Sequence, residues 1–265
     1  MTSQNGTKLN RLLREWPNGT VAVQSWLTER SVSRQLAEAY RKTGWLERFA
    51  RGVYVRAGEQ VEWTGAVYAL QHQLGLTVHP AAKTALQLHG LGHYLVVGTG
   101  GPATLFGVPG EKLPSWFREH DWGVRVRYTA TNLLPASFAS GLTTRDMGTF
   151  SLTVSAPERA ALELLRLVPH RESYEEARLI FEGLTTLRPT LVQRLLEACR
   201  SVKVKRLFLH LAETSGLPWF SKLDLHRVDL GRGKRVIVKG GQFDTKYQIT
   251  VPKSADRPPE TVAGA

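Results

Sequence analysis

The apolar residues near the start of the chain recur at helical spacing. A first stripe predicts a helix from Lys8 to Glu15, with Thr7 as its N-cap. A second stripe predicts a short helix that is capped by Thr20 and ends near Arg30. We therefore expect each helix to bury one face. The apolar positions of the two stripes are Leu9, Leu12, Leu13, Trp16, Val23, Trp26 and Leu27.

A third helix is predicted from Ser33 to Thr43, with Ser33 as its N-cap and Gly44 at its end. Leu36 and Tyr40 face inward, and polar residues occupy the opposite side. Two strands rich in aromatic and branched residues follow, Trp45 to Phe49 and Val53 to Arg56, joined by Ala50-Arg51-Gly52. Helix, turn, helix and ribbon in this order are typical of a winged helix-turn-helix.

The third helix of such a motif enters the major groove, where Arg reads guanine, Gln reads adenine and Glu accepts from cytosine. We expect base contacts from Arg34, Gln35 and Arg41, because their types suit this task. Phosphate contacts are expected from Lys42 and the arginines of the ribbon. A merely solvated polar face is the alternative. The candidate DNA-binding residues are Ser33, Arg34, Gln35, Glu38, Arg41, Lys42, Arg48, Arg51 and Arg56.

Composition agrees with a polyanionic partner. The chain carries 35 Lys and Arg against 23 Asp and Glu, a net charge of +12, and its pI is about 10.1. A single cysteine, Cys199, excludes an internal disulfide framework and fits a reducing cytoplasm. No leading apolar segment or long apolar run is present, so we expect neither export nor membrane insertion.

The length of 265 residues suits two domains. The Gly- and Pro-rich run Val97 to Pro102 marks the division, which predicts a winged domain at 1–97 with its core at 7–57. Residues 98–253 mix strands and helices and are expected to form an α+β domain. Residues 254–265 are expected to be a disordered tail. Beyond the wing we expect helices at Trp63 to Leu74, Pro80 to His89, Ser115 to His120, Ser155 onward, Tyr174 to Gly183, Pro189 to Arg200 and Val202 to Thr214. We expect strands at Ala103 to Gly107, Val124 to Thr129, Phe150 to Val154, Arg235 to Lys239 and Lys246 to Val251. The last two strands are expected to form a hairpin around Gly240-Gly241.

Catalytic and metal-binding patterns are weak. His89 and His93 have the spacing of a zinc helix but lack the adjacent glutamate and a third ligand. Gly98 to Gly101 lacks the Lys-Ser/Thr ending of a P-loop. Asp244-Thr245-Lys246 is similar to the end of a metal-dependent nuclease site, without a convincing acidic partner. We therefore expect no catalytic residue, metal or cofactor, and Cys199 as a small buried hydrophobe.

A second concentration of basic residues lies near the C-terminal end. Some of them open the helix that follows Cys199, and the others belong to the closing hairpin. If the two groups meet, they form a positive surface for nucleic acid or an acidic protein; otherwise they are two separate solvated surfaces. The residues are Arg200, Lys203, Lys205, Arg206, Arg232, Lys234, Arg235 and Lys239.

The chain resembles the AbiEi family of antitoxins from bacterial type IV toxin–antitoxin systems over nearly its whole length. The resemblance is carried by Lys8-Leu9-Asn10-Arg11-Leu12-Leu13, Trp16-Pro17, Ser33-Arg34-Gln35-Leu36, Gly44-Trp45-Leu46-Glu47-Arg48, Arg51-Gly52-Val53-Tyr54, Ser155-Ala156-Pro157-Glu158-Arg159-Ala160, Ser201-Val202-Lys203-Val204-Lys205-Arg206-Leu207-Phe208 and Asp229-Leu230-Gly231-Arg232-Gly233-Lys234-Arg235.

The resemblance implies an N-terminal winged helix that represses its own operon by binding double-stranded operator DNA. It also implies a C-terminal domain that counters an AbiEii-type nucleotidyltransferase toxin, the functional partner. The expected protein is thus a cytoplasmic, non-enzymatic repressor and antitoxin. The alternatives are a metal-dependent nuclease or toxin-modifying enzyme in the second domain, or a ligand-sensing transcription factor without a toxin.

Overall fold

The computed structural model of the chain describes residues 2–91 and 101–253, with side chains from Lys8 onward. Within these residues the chain divides into two compact units. The first unit consists of 2–88, 101–132 and 142–156, and the second of 89–91, 133–141 and 157–253. The division predicted at 97/98 and the predicted tail at 254–265 both lie outside the described residues.

The first unit opens with the winged motif. Its elements are α1 (Thr2–Glu15), β1 (Ala22–Val23), α2 (Gln24–Glu29), α3 (Arg34–Lys42), β2 (Leu46–Ala50) and β3 (Val53–Arg56). The three strands form one antiparallel sheet in the order β1-β3-β2. The apolar stripes predicted for α1 and α2 meet in one core, where Trp16, Leu12 and Leu27 are almost fully buried.

Two predicted caps in this motif are wrong. Thr7 lies inside α1, which begins at Thr2. Thr20 does not cap α2, because its hydroxyl donates to the Pro17 carbonyl at 2.7 Å and accepts from the Trp16 indole at 3.0 Å. The chain then forms β1, and α2 begins only at Gln24.

The remainder of the first unit packs a helical pair against short strands. It comprises α4 (Trp63–His72), β4 (His79–Pro80), α5 (Ala82–Leu88), β5 (Ala103–Gly107), α6 (Ser115–Arg118), β6 (Val126–Ala130), β7 (Leu142–Asp146) and β8 (Ser151–Ser155). Strand β5 lies between β4, antiparallel to it, and β6, parallel to it, while β7 and β8 form a hairpin. A second core joins Val67 and Leu70 of α4 to Leu105, Leu152 and Val154.

The second unit is mainly helical. Its helices are α7 (Pro157–Leu167), α8 (Tyr174–Glu182), α9 (Pro189–Ala198) and α10 (Val202–Thr214), followed by two short 3-10 helices, Phe220–Lys222 and Leu225–Arg227. Helix α10 packs against α7 and α8, and its residues Leu207, Phe208 and Leu211 are fully buried. Together the two units confirm the α+β fold with an N-terminal winged helix-turn-helix.

The predicted closing hairpin is wrong in its pairing. Strands β9 (Arg235–Val236), β10 (Gln242–Asp244) and β11 (Ile249–Val251) form a sheet in the order β10-β11-β9. Strand β9 runs parallel to β11, and the antiparallel hairpin joins β10 to β11. The chain does turn at Lys239-Gly240, but this turn leads into β10. The hairpin turn follows Asp244, whose carboxylate accepts the Tyr247 amide at 3.0 Å.

No helix among residues 2–91 and 101–253 is long and apolar enough to cross a membrane.

Candidate nucleic-acid interface

Helix α3 is fixed at both ends by its own sequence. The Ser33 hydroxyl accepts a hydrogen bond from the Leu36 amide at 3.2 Å, as predicted for an N-cap. Gly44 adopts φ +76° just beyond the last turn, a conformation that glycine takes without strain. Ala37 and Tyr40 are buried in the first core, and Leu36 packs partly against it. The opposite face of α3 is therefore held outward.

The outward face of α3 carries three polar side chains that are available for binding. Arg34, Gln35 and Lys42 are exposed, and within the described part of the chain none of them forms a hydrogen bond or an ion pair. When such a side chain binds a base edge or a phosphate, no internal hydrogen bond or ion pair has to break. This is the arrangement expected of a recognition helix.

Glu38 and Arg41 differ, because they bind each other. The Arg41 guanidinium donates to both Glu38 carboxylate oxygens, at 3.0 Å from Nε and 2.6 Å from Nη2. This bond lowers the pKa of Glu38 and raises the pKa of Arg41. The pair holds the Arg41 fork in one orientation, but it also neutralises the charge that Arg41 would offer to DNA.

The wing is an antiparallel ribbon with an anchored tip. β2 and β3 pair with an irregularity between Arg48 and Ala50, and Gly52 makes the turn at φ +72°. The Gly52 carbonyl accepts the Gln24 amide of α2 at 2.8 Å, which holds the tip against the helical part. Arg48 and Arg51 are exposed on this ribbon, as the phosphate-binding interpretation requires.

Arg56 is placed differently from the other predicted phosphate ligands. Its guanidinium is turned toward the end of α1, where Nη2 donates to the carbonyls of Leu13 and Trp16. Its carbon Cζ lies 5.7 Å from the centre of the Trp16 ring, and burial lowers its pKa. Arg56 thus ties the wing to α1.

An aromatic cluster braces the wing from a distant part of the sequence. The Phe49 ring of β2 lies 4.4 Å from His120, 5.7 Å from Trp122 and 6.3 Å from Trp116. The planes of the Phe49 and Trp122 rings lie at 24° to each other, so these two rings stack. Sequence reasoning missed this brace; the excess of aromatic residues between 116 and 122 was the available signal.

The predicted second basic surface is wrong at its centre. Lys205 and Arg206 are only 4% and 3% exposed, on the inner side of α10. Arg206 donates to the carbonyls of Leu230, Gly231, Gly233 and Gln248, so it joins α10 to the closing sheet. Lys203 donates to the Val168 carbonyl.

The basic group of α10 and that of the closing sheet do meet in the second unit, but they meet through the buried side chain of Arg206. Arg235 is half-buried, and its charge, after burial, contributes to the lowered pKa of Arg206. Those basic residues of the set that remain exposed are Arg200, Arg232, Lys234 and Lys239. The surface predicted from all eight residues therefore lacks Lys205 and Arg206.

The nuclease-like tripeptide is committed to a polar network in the second unit. Asp244 accepts from His210 Nδ1 at 2.6 Å, and His210 Nε2 lies 3.1 Å from the Tyr174 hydroxyl. Lys246 pairs with Glu213. Burial opposes ionisation of Asp244, but the bonds from the Tyr247 amide and His210 outweigh it and lower the pKa of Asp244.

The other patterns weighed for chemistry give no site either. Among residues 2–91 and 101–253 no three His, Cys, Asp or Glu side chains are grouped to hold a metal ion. Cys199 is buried, and burial raises the pKa of its thiol, as fits an inert cysteine. His93 and the run Gly98 to Gly100 lie outside the described residues.

Family comparisons agree with the winged motif. Residues 5–97 match the family described as the transcriptional regulator AbiEi antitoxin N-terminal domain. Residues 101–252 match the family described as transcriptional regulator, AbiEi antitoxin, type IV toxin–antitoxin system. The chain belongs to the AbiEi antitoxin family. As an AbiEi antitoxin it is a transcriptional regulator of a type IV system, for which DNA and a toxin are the general partners.

The fold of this AbiEi antitoxin is similar to the crystal structure of the RV2827C protein from Mycobacterium tuberculosis. The TM-score is 0.57 at 16% sequence identity, over 94% of this chain and 92% of that one. At this identity the likeness concerns the fold alone. No curated protein matches the chain in sequence.

Proposed function

We propose that this protein represses its own toxin–antitoxin operon by binding operator DNA through α3 and the wing, and that its C-terminal part counters a nucleotidyltransferase toxin. The observation that carries the DNA-binding half is the outward face of α3, where Arg34, Gln35 and Lys42 are exposed and uncommitted. Family membership supports the antitoxin half. The nucleotidyltransferase nature of the toxin follows from the family resemblance.

Within the interface we assign Arg34 and Gln35 to base edges, with Arg41 as a further base contact once its bond to Glu38 is exchanged for one to DNA. Lys42, Arg48 and Arg51 are assigned to phosphates. This division follows from position, because the N-terminal part of α3 enters the groove, whereas Lys42 ends the helix and the wing follows the backbone.

The test is binding of the purified protein to its own upstream DNA and to random DNA of equal length, across a salt series. We expect selective binding with a steep loss of affinity as salt rises. Arg34→Ala should weaken operator binding by about 1–3 kcal/mol and reduce selectivity. Arg51→Ala should weaken both DNAs alike and reduce the salt slope by about one.

Arg145→Ala is the matched control, because Arg145 is an exposed arginine of the first unit on β7, outside the winged motif. It should leave both affinities unchanged. Equal, weak binding of wild type to operator and random DNA would reject the repressor function. Equal losses on both DNAs for Arg34→Ala would reject its assignment to base reading.

The antitoxin half is tested by growth of cells that express the neighbouring toxin gene. Wild type and an Arg34→Ala/Gln35→Ala variant should both restore growth, because α3 is assigned to DNA and not to the toxin. A toxin that is not counteracted by wild type would reject this half of the proposal.

A further inference from the structure

A cavity of about 890 Å³ lies in the first unit, next to the wing. Its lining includes His120 and Trp122, two of the three rings that contact Phe49 of β2. The cavity therefore lies beside β2, the strand that also carries the proposed phosphate contact Arg48. The polar and aromatic residues that characterise it are Lys112, Arg118, His120, Trp122, Arg125 and Tyr128.

The basic side chains of this cavity are available to a ligand. Lys112 and Arg125 are exposed and form no hydrogen bond or ion pair through their side chains within residues 8–91 and 101–253. Arg118 has only a loose contact, 3.9 Å, with Glu119, and both side chains are largely exposed. Three cations therefore face one opening without strong internal partners.

The acidic residues of the lining are, by contrast, used by the fold. Glu111 accepts from the Thr77 amide and the Thr77 hydroxyl, each at 2.8 Å. Asp121 accepts from the Gly123 amide at 2.9 Å. These bonds turn the carboxylates toward backbone and hydroxyl donors and not toward the cations. Both carboxylates keep their charge, so the lining carries three cations against two anions. The cavity as a whole favours an anionic ligand.

Trp122 is held rigidly on one side of the cavity. Its indole nitrogen donates to the Phe117 carbonyl at 2.8 Å, and its ring stacks on Phe49. A fixed aromatic surface beside exposed Lys and Arg suits a sugar-phosphate chain, in which phosphates meet cations and sugars meet apolar rings. The stack also couples this surface to the wing, which contacts the same molecule.

We propose that this cavity holds the phosphate backbone of operator DNA that extends beyond the stretch covered by α3 and the wing. The inference rests on the proposed function. Duplex DNA is favoured over a free nucleotide because two rings of the lining contact Phe49, which places the cavity beside the ribbon proposed to bind DNA. Duplex DNA carries a charge about every 1.7 Å along its axis, so it can contact both surfaces at once. The interface would thus be longer than a winged helix alone provides.

The experiment combines a double variant, Lys112→Ala/Arg125→Ala, with a series of operator duplexes whose flanks are shortened two base pairs at a time. Affinity is measured by fluorescence anisotropy between about 0.05 and 0.3 M salt. For wild type, shortening should at one step reduce the salt slope by about 0.9 for each phosphate that the protein no longer neutralises. At 0.15 M salt each such phosphate corresponds to about fivefold in affinity on that slope, or about 30-fold for two.

The double variant should show the reduced slope and affinity on the long duplex and match wild type on the shortest one. Arg145→Ala should behave as wild type on every duplex. A charge-reversal variant, Lys112→Glu/Arg125→Glu, should weaken binding to the long duplex still further. Thermal unfolding of each variant shows whether it is folded, and the exposed positions of both residues predict that it is.

Three results would overturn the inference. Equal affinities of wild type and both double variants on the long duplex would do so, as would equal reductions in affinity on long and short duplexes. Calorimetric binding of ATP that depends on Lys112 and Arg125, without any effect of the flanks, would assign the cavity to a free nucleotide. Selective operator binding alongside any of these results leaves the proposed function standing, whereas its absence in wild type rejects both.

Discussion

Removing the Arg206 side chain should destabilise the second unit severely. The guanidinium is 3% exposed and donates to four backbone carbonyls, at 2.8 Å to Leu230, 2.5 Å to Gly233 and 3.1 Å to both Gly231 and Gln248. These carbonyls precede β9 and β11, so one side chain of α10 fixes both the entry to the closing sheet and its hairpin. In Arg206→Ala all four acceptors are deprived of this donor.

The magnitude follows from opposing contributions. Hydrogen bonds to a charged group contribute about 1.5–3 kcal/mol each, so four would give about 6–12 kcal/mol if they were additive. Burial of the guanidinium costs several kcal/mol, which the alanine variant recovers. Water that enters the vacated space can satisfy part of the carbonyls. We therefore expect a net destabilisation of about 3–5 kcal/mol, a large fraction of a typical stability of about 5–15 kcal/mol.

The assay is urea unfolding monitored by hydrogen exchange and mass spectrometry, because exchange separates the two units. Peptides covering 228–251 should become less protected in Arg206→Ala, while those of the first unit should not change. Arg206→Lys should fall between wild type and alanine, since a single ammonium cannot reproduce the planar fork. Arg200→Ala removes an exposed basic residue next to the same helix and should stay within about 0.5 kcal/mol. A destabilisation below about 1 kcal/mol for Arg206→Ala would refute the structural role of this side chain.

Three further variants test other parts of the fold by unfolding experiments. Gly65→Ala should destabilise the first unit by about 1–3 kcal/mol, because its new methyl group would lie 1.8 Å from the Gly19 carbonyl oxygen; a gain limited to helix propensity, about 1 kcal/mol, would disprove this. The pKa of Asp244 is lowered in the fold, so its contribution to the free energy of unfolding is present above about pH 4 and disappears as the pH falls. Asp244→Asn should make the free energy of unfolding decline less steeply in acid, and an unchanged pH profile would contradict this. Burial raises the pKa of Tyr174 to about 12, so its contribution to the free energy of unfolding is complete below about pH 10 and disappears as the pH rises toward 12. Tyr174→Phe should remove this alkaline decline, and a decline that persists in the variant would show that it has another origin.

Sequence reasoning succeeded where neighbouring residues decide the structure. The Ser33 cap, the helix end at Gly44, the turn at Arg51-Gly52, and the aromatic and branched strands of the wing are all local features, and all were confirmed. The error at Thr20 is also local. Threonine suits an N-cap, but here its hydroxyl accepts from the Trp16 indole and donates to the Pro17 carbonyl.

Whether the C-terminal basic residues are buried or exposed depends on tertiary contacts, which residue spacing does not reveal. Lys205 and Arg206 are buried on the inner side of α10, and Arg206 finds carbonyl acceptors there in the chain that leads into the closing sheet. A count of charges predicts a positive surface equally well whether or not such acceptors exist. The Phe49 brace was missed for the same reason, since its partners lie near residue 120.

The first unit is assembled from separated stretches of chain, and this has a consequence for its biosynthesis. The core beneath α4 contains Leu152 and Val154 of β8, and the wing rests on rings near residue 120. At synthesis rates of about 5–20 residues per second, some 8–30 seconds pass before residue 156 has been added. Phe49 lacks its partner rings until residue 122 has been added, and α4 lacks Leu152 and Val154 until β8 has been added. The nascent chain thus acquires a complete DNA-binding unit late, and a ribosome that stalls before this point leaves a product with exposed apolar surface for chaperones and proteases.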